Sequence, residues 1–233
     1  MMYMKRRLFA WLLPTIFLPT MALAQKVDPK AYFTDSKGYD QEATKIEADD
    51  GEAPLTVTFR SNPTEMDGWT PSYEWHFRKA GQAGDLFVRY EEDTEYTFVE
   101  SGTFNIVQKT FVSNGTFENE LDSTTITVTI AESKLEFPNA FSPNGDDRNE
   151  YFQAKEGYKS IISFKATIFN RWGQKLYEWD SPAGKWDGKY HGSDVKEGVY
   201  FLMVKAKGAD GKVYDIRKDI NLLRGYTEKS NNN

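Results

Sequence analysis

The chain has 233 residues, 15% of them aromatic, with 29 Lys and Arg against 35 Asp and Glu, a formal charge of −6 and no cysteine. That length admits one large or two ordinary domains, and the acidic balance disfavours nucleic acid, whose phosphates need clustered Lys and Arg. The lack of thiols removes disulfides, thiolate metal sites and thiol nucleophiles together, so packing must hold the fold.

In residues 1–24, Lys5, Arg6 and Arg7 precede an apolar stretch from Leu8 to Leu18, and Ala22-Leu23-Ala24 fits a small-residue cleavage site. This is the pattern of a secretory signal peptide. Pro14 and Pro19 interrupt the stretch, which is short for a bilayer span of ~20 residues. Its removal takes away three cations and no acids. No later apolar run is long enough to cross a bilayer as a helix, so the mature chain is expected to be exported and not membrane-spanning. Residues 25–43 form a polar lead-in whose apolar cluster, Ala31-Tyr32-Phe33, is expected to add at most one edge strand.

From 44 to 131 the pattern alternates. Leu55, Val57 and Phe59 oppose Thr56 and Thr58, while Tyr73, Trp75 and Phe77 oppose Glu74 and His76. Ile126, Val128 and Ile130 likewise oppose Thr125, Thr127 and Thr129. Such alternation predicts half-buried strands of an antiparallel sandwich, with Asn114-Gly115 turning a hairpin. Ile130–Phe137 reads as a short, taut linker. Residues 135–226 again read as strands joined by Gly-rich turns, with Ala209-Asp210-Gly211 at one hairpin. "VYFLMV" (Val199–Val204) is apolar on both faces and is expected to lie centrally, covered on both sides. Residues 227–233 are expected to form a disordered tail. The predicted fold is all-β: two consecutive immunoglobulin-like β-sandwich domains after a signal peptide.

Catalytic chemistry is sparse in this sequence. His76 lies on the polar face of its strand, and His191, Ser193 and Asp194 sit in one turn, whereas triads draw on separate parts of a fold. Trp172, Trp179, Trp186 and Tyr190 could stack on a glycan, although aromatics in a cysteine-free sandwich more commonly form core. Asn144, Asp146, Asp147, Asn149 and Glu150 offer oxygens to a hard cation such as calcium. Their spacing departs from the EF-hand loop because Gly145 precedes the acids, and Pro143-Asn144-Gly145-Asp146 is independently a turn signal, so a turn is the favoured reading over a metal site. No cofactor is expected.

The segments "FPNAFSPNGDDRNEYF" (137–152), "IFNRWGQKLYE", "WDGKYHG", "GVYFLMV" and "KDINLLR" occur in the order and spacing of a known family. Over about 136–224 the chain resembles the gliding-motility-associated C-terminal domain of Bacteroidetes, the type B sorting domain of the type IX secretion system. The motif residues are Pro143, Asn144, Gly145, Asp146, Asn170, Arg171, Trp172, Gly173, Trp186, Asp187, Gly188, Gly198, Tyr200 and Arg224. Asp147 stands where that family usually has a second Gly. The resemblance implies a β-sandwich that carries the protein across the outer membrane, and a PorP/SprF-like outer-membrane partner together with the secretion machinery. Residues 44–131 resemble a PKD-type domain through "GEAPLTVTF", "YEWHF" and "FVESGTFNIV", with Phe98 where Tyr is common. That implies a spacer or protein-contact module. The chain is thus expected to be a non-catalytic protein of the cell surface or extracellular space, or one retained in the periplasm or at the outer membrane. A glycan-binding adhesin is the alternative.

Overall fold

The alternating segments form strands whose apolar sides meet in two hydrophobic clusters. A computed structural model describes residues 25–225; residues 1–24, where a signal peptide is expected, and the expected tail 227–233, with Tyr226, lie outside the described residues. The described residues are all-β, with no helix.

In the N-terminal half, Thr70–Lys79 and Gly102–Ser113 pair antiparallel over ten residues and form the centre of a six-stranded sheet. Thr124–Ile130 and Lys45–Ile46 extend it on one side and Phe87–Arg89 on the other, while Glu118–Glu120 returns on Phe111–Ser113 across the expected Asn114-Gly115 turn. A four-stranded sheet faces it, in the order Asp40–Ala43, Lys30–Thr34, Leu55–Arg60, Thr94–Phe98. Between them Phe59 contacts Trp75, Phe77 and Phe98 at ring-centroid distances of 6.0, 5.5 and 6.4 Å. These rings are essentially shut off from solvent, and each contributes about 1.5–3 kcal/mol by burial alone. Glu74 and His76 face outward, as the period of two requires.

The lead-in departs from expectation. Residues 25–43 supply two adjacent strands of the four-stranded sheet, with Lys30–Thr34 inside it, and Ala31 and Phe33 are core members. Asp40–Glu42 is polar and exposed, only Ala43 packs against the core, and the strand is held by backbone pairing from Thr34↔Asp40 to Ala31↔Ala43. The Asp35 carboxylate closes the intervening turn by accepting from the N–H groups of Lys37 and Tyr39, each at 2.9 Å.

In the C-terminal half a five-stranded sheet runs Ala140–Phe141, Val213–Leu222, Gly198–Gly208, Ile161–Phe169, Lys175–Trp179. Its inner face carries Phe141, Leu202, Val204, Ala166, Ile168 and Ile220, packed against Phe137, Phe152 and Trp186. Two short ribbons, Phe152–Gln153 with Lys185–Trp186 and Lys189–Tyr190 with Ser193–Asp194, belong to this half. Gly198–Gly208 is central, as "VYFLMV" suggests, but it is not covered on both sides. Val199 is 43% exposed and Phe201 40%, because the core lies on one face only and alternate residues must point away from it.

Candidate functional site

The motif residues converge on one end of the C-terminal sheet, where the strand Gly198–Gly208 begins and Val213–Leu222 ends. Phe141 and Phe152 are buried on either side of the 142–151 loop and meet edge-on at 5.7 Å, and Phe141 packs on Trp186 at 5.4 Å. They fix the loop's two ends. Between them the polar side chains bind their own backbone. Asn144 Oδ1 accepts from Asp146 N at 3.1 Å, and Asp146 Oδ1 accepts from Arg148 N at 3.0 Å. Glu150 Oε1 accepts from Gly145 N and Asp146 N at 2.8 and 2.9 Å. The Asn144 and Asp146 contacts are Asx-type turns, and Glu150 closes the loop from its far end. Among the described residues no cluster of three or more acidic or histidine side chains has metal-binding geometry. Asp147 takes φ 63° and Asn149 φ 51°, so the position that the resembling family fills with Gly keeps the left-handed backbone with Asp in place.

The second motif is a tight turn. Asn170 Oδ1 accepts from Trp172 N at 2.9 Å and from Gln174 N at 3.1 Å, and Asn170 O accepts from Gly173 N at 3.0 Å. The turn holds Trp172 80% exposed, with the Arg171 guanidinium 5.2 Å from its ring centre. Gln174 Nε2 donates to Tyr190 Oη at 3.2 Å, which ties this turn to the next ribbon.

At the third motif Trp186 is fully buried and its Nε1 donates to Lys189 O at 2.8 Å. Asp187 Oδ1 accepts from Lys189 N at 3.0 Å. Gly188 has φ 76°, and a Cβ there would come within 3.1 Å of Pro143 Cγ and Leu222 Cδ1 and 3.2 Å of Arg224 Nη2. Only glycine suits that crowded left-handed position. Gly198 opens the central strand opposite Leu222. Tyr200, buried below, donates to Lys196 O at 2.6 Å; burial pushes its phenol above the ordinary value, against the opposing pull of Arg224 and Arg171.

Arg224 joins these parts. Its Nη1 donates to Pro143 O at 2.8 Å, its Nη2 to Gly188 O at 3.0 Å and its Nε to Val195 O at 3.4 Å, and Nη2 lies 3.4 Å from Asp194 Oδ1. Glu197 Oε1 accepts from the backbone N–H groups of Arg224 and Gly225. Ser142 Oγ donates to Leu223 O at 2.6 Å. One guanidinium therefore bridges three loops, the farthest of which lies 81 residues from Arg224 in sequence. The surrounding surface is an open depression of about 460 Å³ whose lining includes Asp147, Tyr151, Asp187, Lys189 and Arg224. Such a surface can bind another macromolecule through shape, charge and hydrogen bonds. Glu197 and Ser142 belong to this end although no sequence pattern marks them.

The remaining candidates lie apart. Trp179 is 7% exposed and Trp186 buried, so Trp172, Trp179, Trp186 and Tyr190 do not form a shared aromatic platform for a sugar. His76 sits between Asp85 Oδ2, 2.7 Å from Nδ1, and Glu74 Oε2, 2.9 Å from Nε2, on the outward side of its strand. Arg78 Nε donates to Asp85 Oδ1 at 2.6 Å, and this bond, with that of His76, holds the Asp85 carboxyl below the usual range. His191 is exposed in the 190–193 turn at φ 49°, its ring 4.1 Å from that of Tyr190.

Residues 135–217 match the CHU_C type IX secretion signal domain family. The strand in which that match ends continues to Leu222, so Arg224 lies just beyond the matched span. No curated protein matches the chain. A solved structure, the tetra-tandem repeat in the extending region of a large adhesion protein, is similar over 86% of this chain and 68% of that one. Its identity is 13% and its TM-score 0.27, too slight a likeness to bear on function.

Proposed function

Because the chain bears a type IX secretion signal domain at residues 135–217, we propose that it is a non-catalytic protein of the cell envelope or surface. Its C-terminal half directs export and docks on a PorP/SprF-like outer-membrane protein, and its PKD-like N-terminal half serves as a spacer or protein-contact module. The observation that carries this reading is the Arg224 knot. It draws the loop after Phe141, the Gly188 turn and the 194–197 segment into one surface at the chain's C-terminal end. Recognition of a folded signal needs such a fixed, composite surface more than any single side chain. The absence of chemistry in the role fits how the histidines are engaged: His76 is occupied by two carboxylates, and His191 stands exposed at a turn.

The test is affinity capture of the tagged, exported chain from detergent-solubilised outer membrane. The expected result is co-purification of an outer-membrane β-barrel protein, lost when the 142–151 loop is replaced by a Gly-Ser segment. Capture of no barrel, or capture indifferent to that replacement, would remove the docking part of the proposal.

A further inference from the structure

The contacts between the two halves are as specific as those inside either. The turn between the last two long strands, Gly208–Lys212, is seated on the N-terminal half. Ala209 is 7% exposed and belongs to the N-terminal hydrophobic cluster, against which Ile162 also packs. Ala209 O accepts from Ser101 N at 3.0 Å, and Ala209 N donates to Ser160 O at 2.9 Å. Ser160 Oγ in turn accepts from Ala53 N at 3.2 Å, a buried bond spanning 107 residues. Two residues that flank the joint, Ala53 and Ala131, are buried as well.

The connecting segment is held along its length. Ala131 N donates to Gly51 O at 2.8 Å, and Lys134 and Lys159 exchange backbone bonds at 3.1 and 3.0 Å. Ser133 lies between them and is 8% exposed; its Oγ donates to Asp210 Oδ1 at 2.7 Å and lies 2.9 Å from Tyr214 Oη, while its N–H reaches Asp210 Oδ2 at 3.3 Å. There is no slack: a Cβ on Gly208 would fall 2.0 Å from Ser133 Oγ. A hinge needs a few residues free to change φ and ψ, and every second residue here is buried or bonded on both sides.

We infer that the two halves form one cooperative body, locked by the Gly208–Lys212 turn, so that the structural unit bearing the secretion signal is residues 25–225 and not the 135–217 segment alone. A flexible spacer would let the halves unfold separately, since weakly joined domains behave as independent units. Here separation leaves Ala209 without its apolar surroundings, strands the Ser101 and Ala53 N–H groups, and uncovers the floor of the N-terminal core. The coupling also has a direction. Gly198–Gly208 is 11 residues long, so the joint lies roughly 33 Å from the Arg224 end at about 3.3 Å per residue. The signal surface is carried at the far tip of a body anchored at its other end. This inference is independent of the secretion reading, because it concerns only how the halves are joined.

Native-state hydrogen exchange on the intact protein in sub-denaturing urea tests it, read at the amides of Ile106 and Val128 in one core and Val204 and Ile220 in the other. In the wild type the slowest amides of the two halves are expected to exchange within threefold of each other. In the Ser133→Ala/Asp210→Ala double variant they are expected to separate by more than tenfold, with protease cleavage at 131–135 accelerating by a similar factor. If the double variant loses protection everywhere, Ser133→Ala alone is held to the same criterion. Wild-type halves that already differ by more than tenfold, or variant halves that still exchange together, overturn the inference.

Discussion

Replacing Arg224 by Ala removes the group on which the candidate surface depends, and its cost follows from the contacts. The bonds to Pro143 O at 2.8 Å and Gly188 O at 3.0 Å are well formed, whereas those to Val195 O and Asp194 are at 3.4 Å. Hydrogen bonds from a charged donor contribute about 1.5–3 kcal/mol each when buried. The Arg224 side chain is 23% exposed, which favours the low end, and Asp194 is 61% exposed, so its ion pair adds little. Two good bonds at the low end give a loss of about 3 kcal/mol. For a body of this size that corresponds to a fall in Tm of about 6–12 °C. Arg224→Lys should lose roughly half as much, since an ammonium cannot span two carbonyls as the planar guanidinium does. Urea unfolding followed by tryptophan fluorescence is a suitable assay, because Trp186 donates to Lys189 O beside Gly188. An Arg224→Ala midpoint displaced by less than the equivalent of about 0.5 kcal/mol would refute this reasoning and show the loops to be fixed by other means.

Asp147→Gly should stabilise the loop by about 0.5 kcal/mol in the same assay, by relieving a left-handed Asp at φ 63°; a loss would mean that the carboxylate has a structural role. Val199→Thr with Phe201→Thr should change stability by no more than about 0.5 kcal/mol each, whereas Leu202→Ala, one position along but 2% exposed, should cost about 2–5 kcal/mol. The Asp85 carboxyl is held low by Arg78 and then His76, so its contribution is present above the unfolded-state pKa and lost as pH falls through the lower folded one. Asp85→Asn should therefore flatten the decline in stability below about pH 4, and an unchanged acid limb in a pH series of urea midpoints would show that the contact is screened away.

The strands that alternate strictly are legible in the sequence because one face must be apolar. Leu55, Val57 and Phe59 or Tyr73, Trp75 and Phe77 could hardly be placed otherwise. Asp40–Ala43 was not legible, because a strand held by backbone pairing and a side-chain-closed turn needs no apolar alternation, and Ala43 alone meets the core. "VYFLMV" misleads for a different reason: its apolar outer residues fit a covered sheet, and only the single-sided core of the C-terminal half leaves Val199 and Phe201 in solvent. The tryptophans show the limit most plainly. Trp172 and Trp186 are the same residue in neighbouring motifs, yet one is held out by an Asn170 turn and the other is fully buried. The Arg224 knot was invisible as geometry, since its partners are backbone carbonyls that carry no side-chain signature.

Protease treatment of intact cells, comparing the full chain with one whose 142–151 loop is replaced by a Gly-Ser segment, tests whether the C-terminal half directs export. The full chain is expected to be cut from outside or recovered from the medium, and the loop-replaced chain to stay in the periplasm, shielded until the outer membrane is opened. A loop-replaced chain that is equally accessible from outside, or a full chain that remains protected, would contradict a secretion role for residues 135–225.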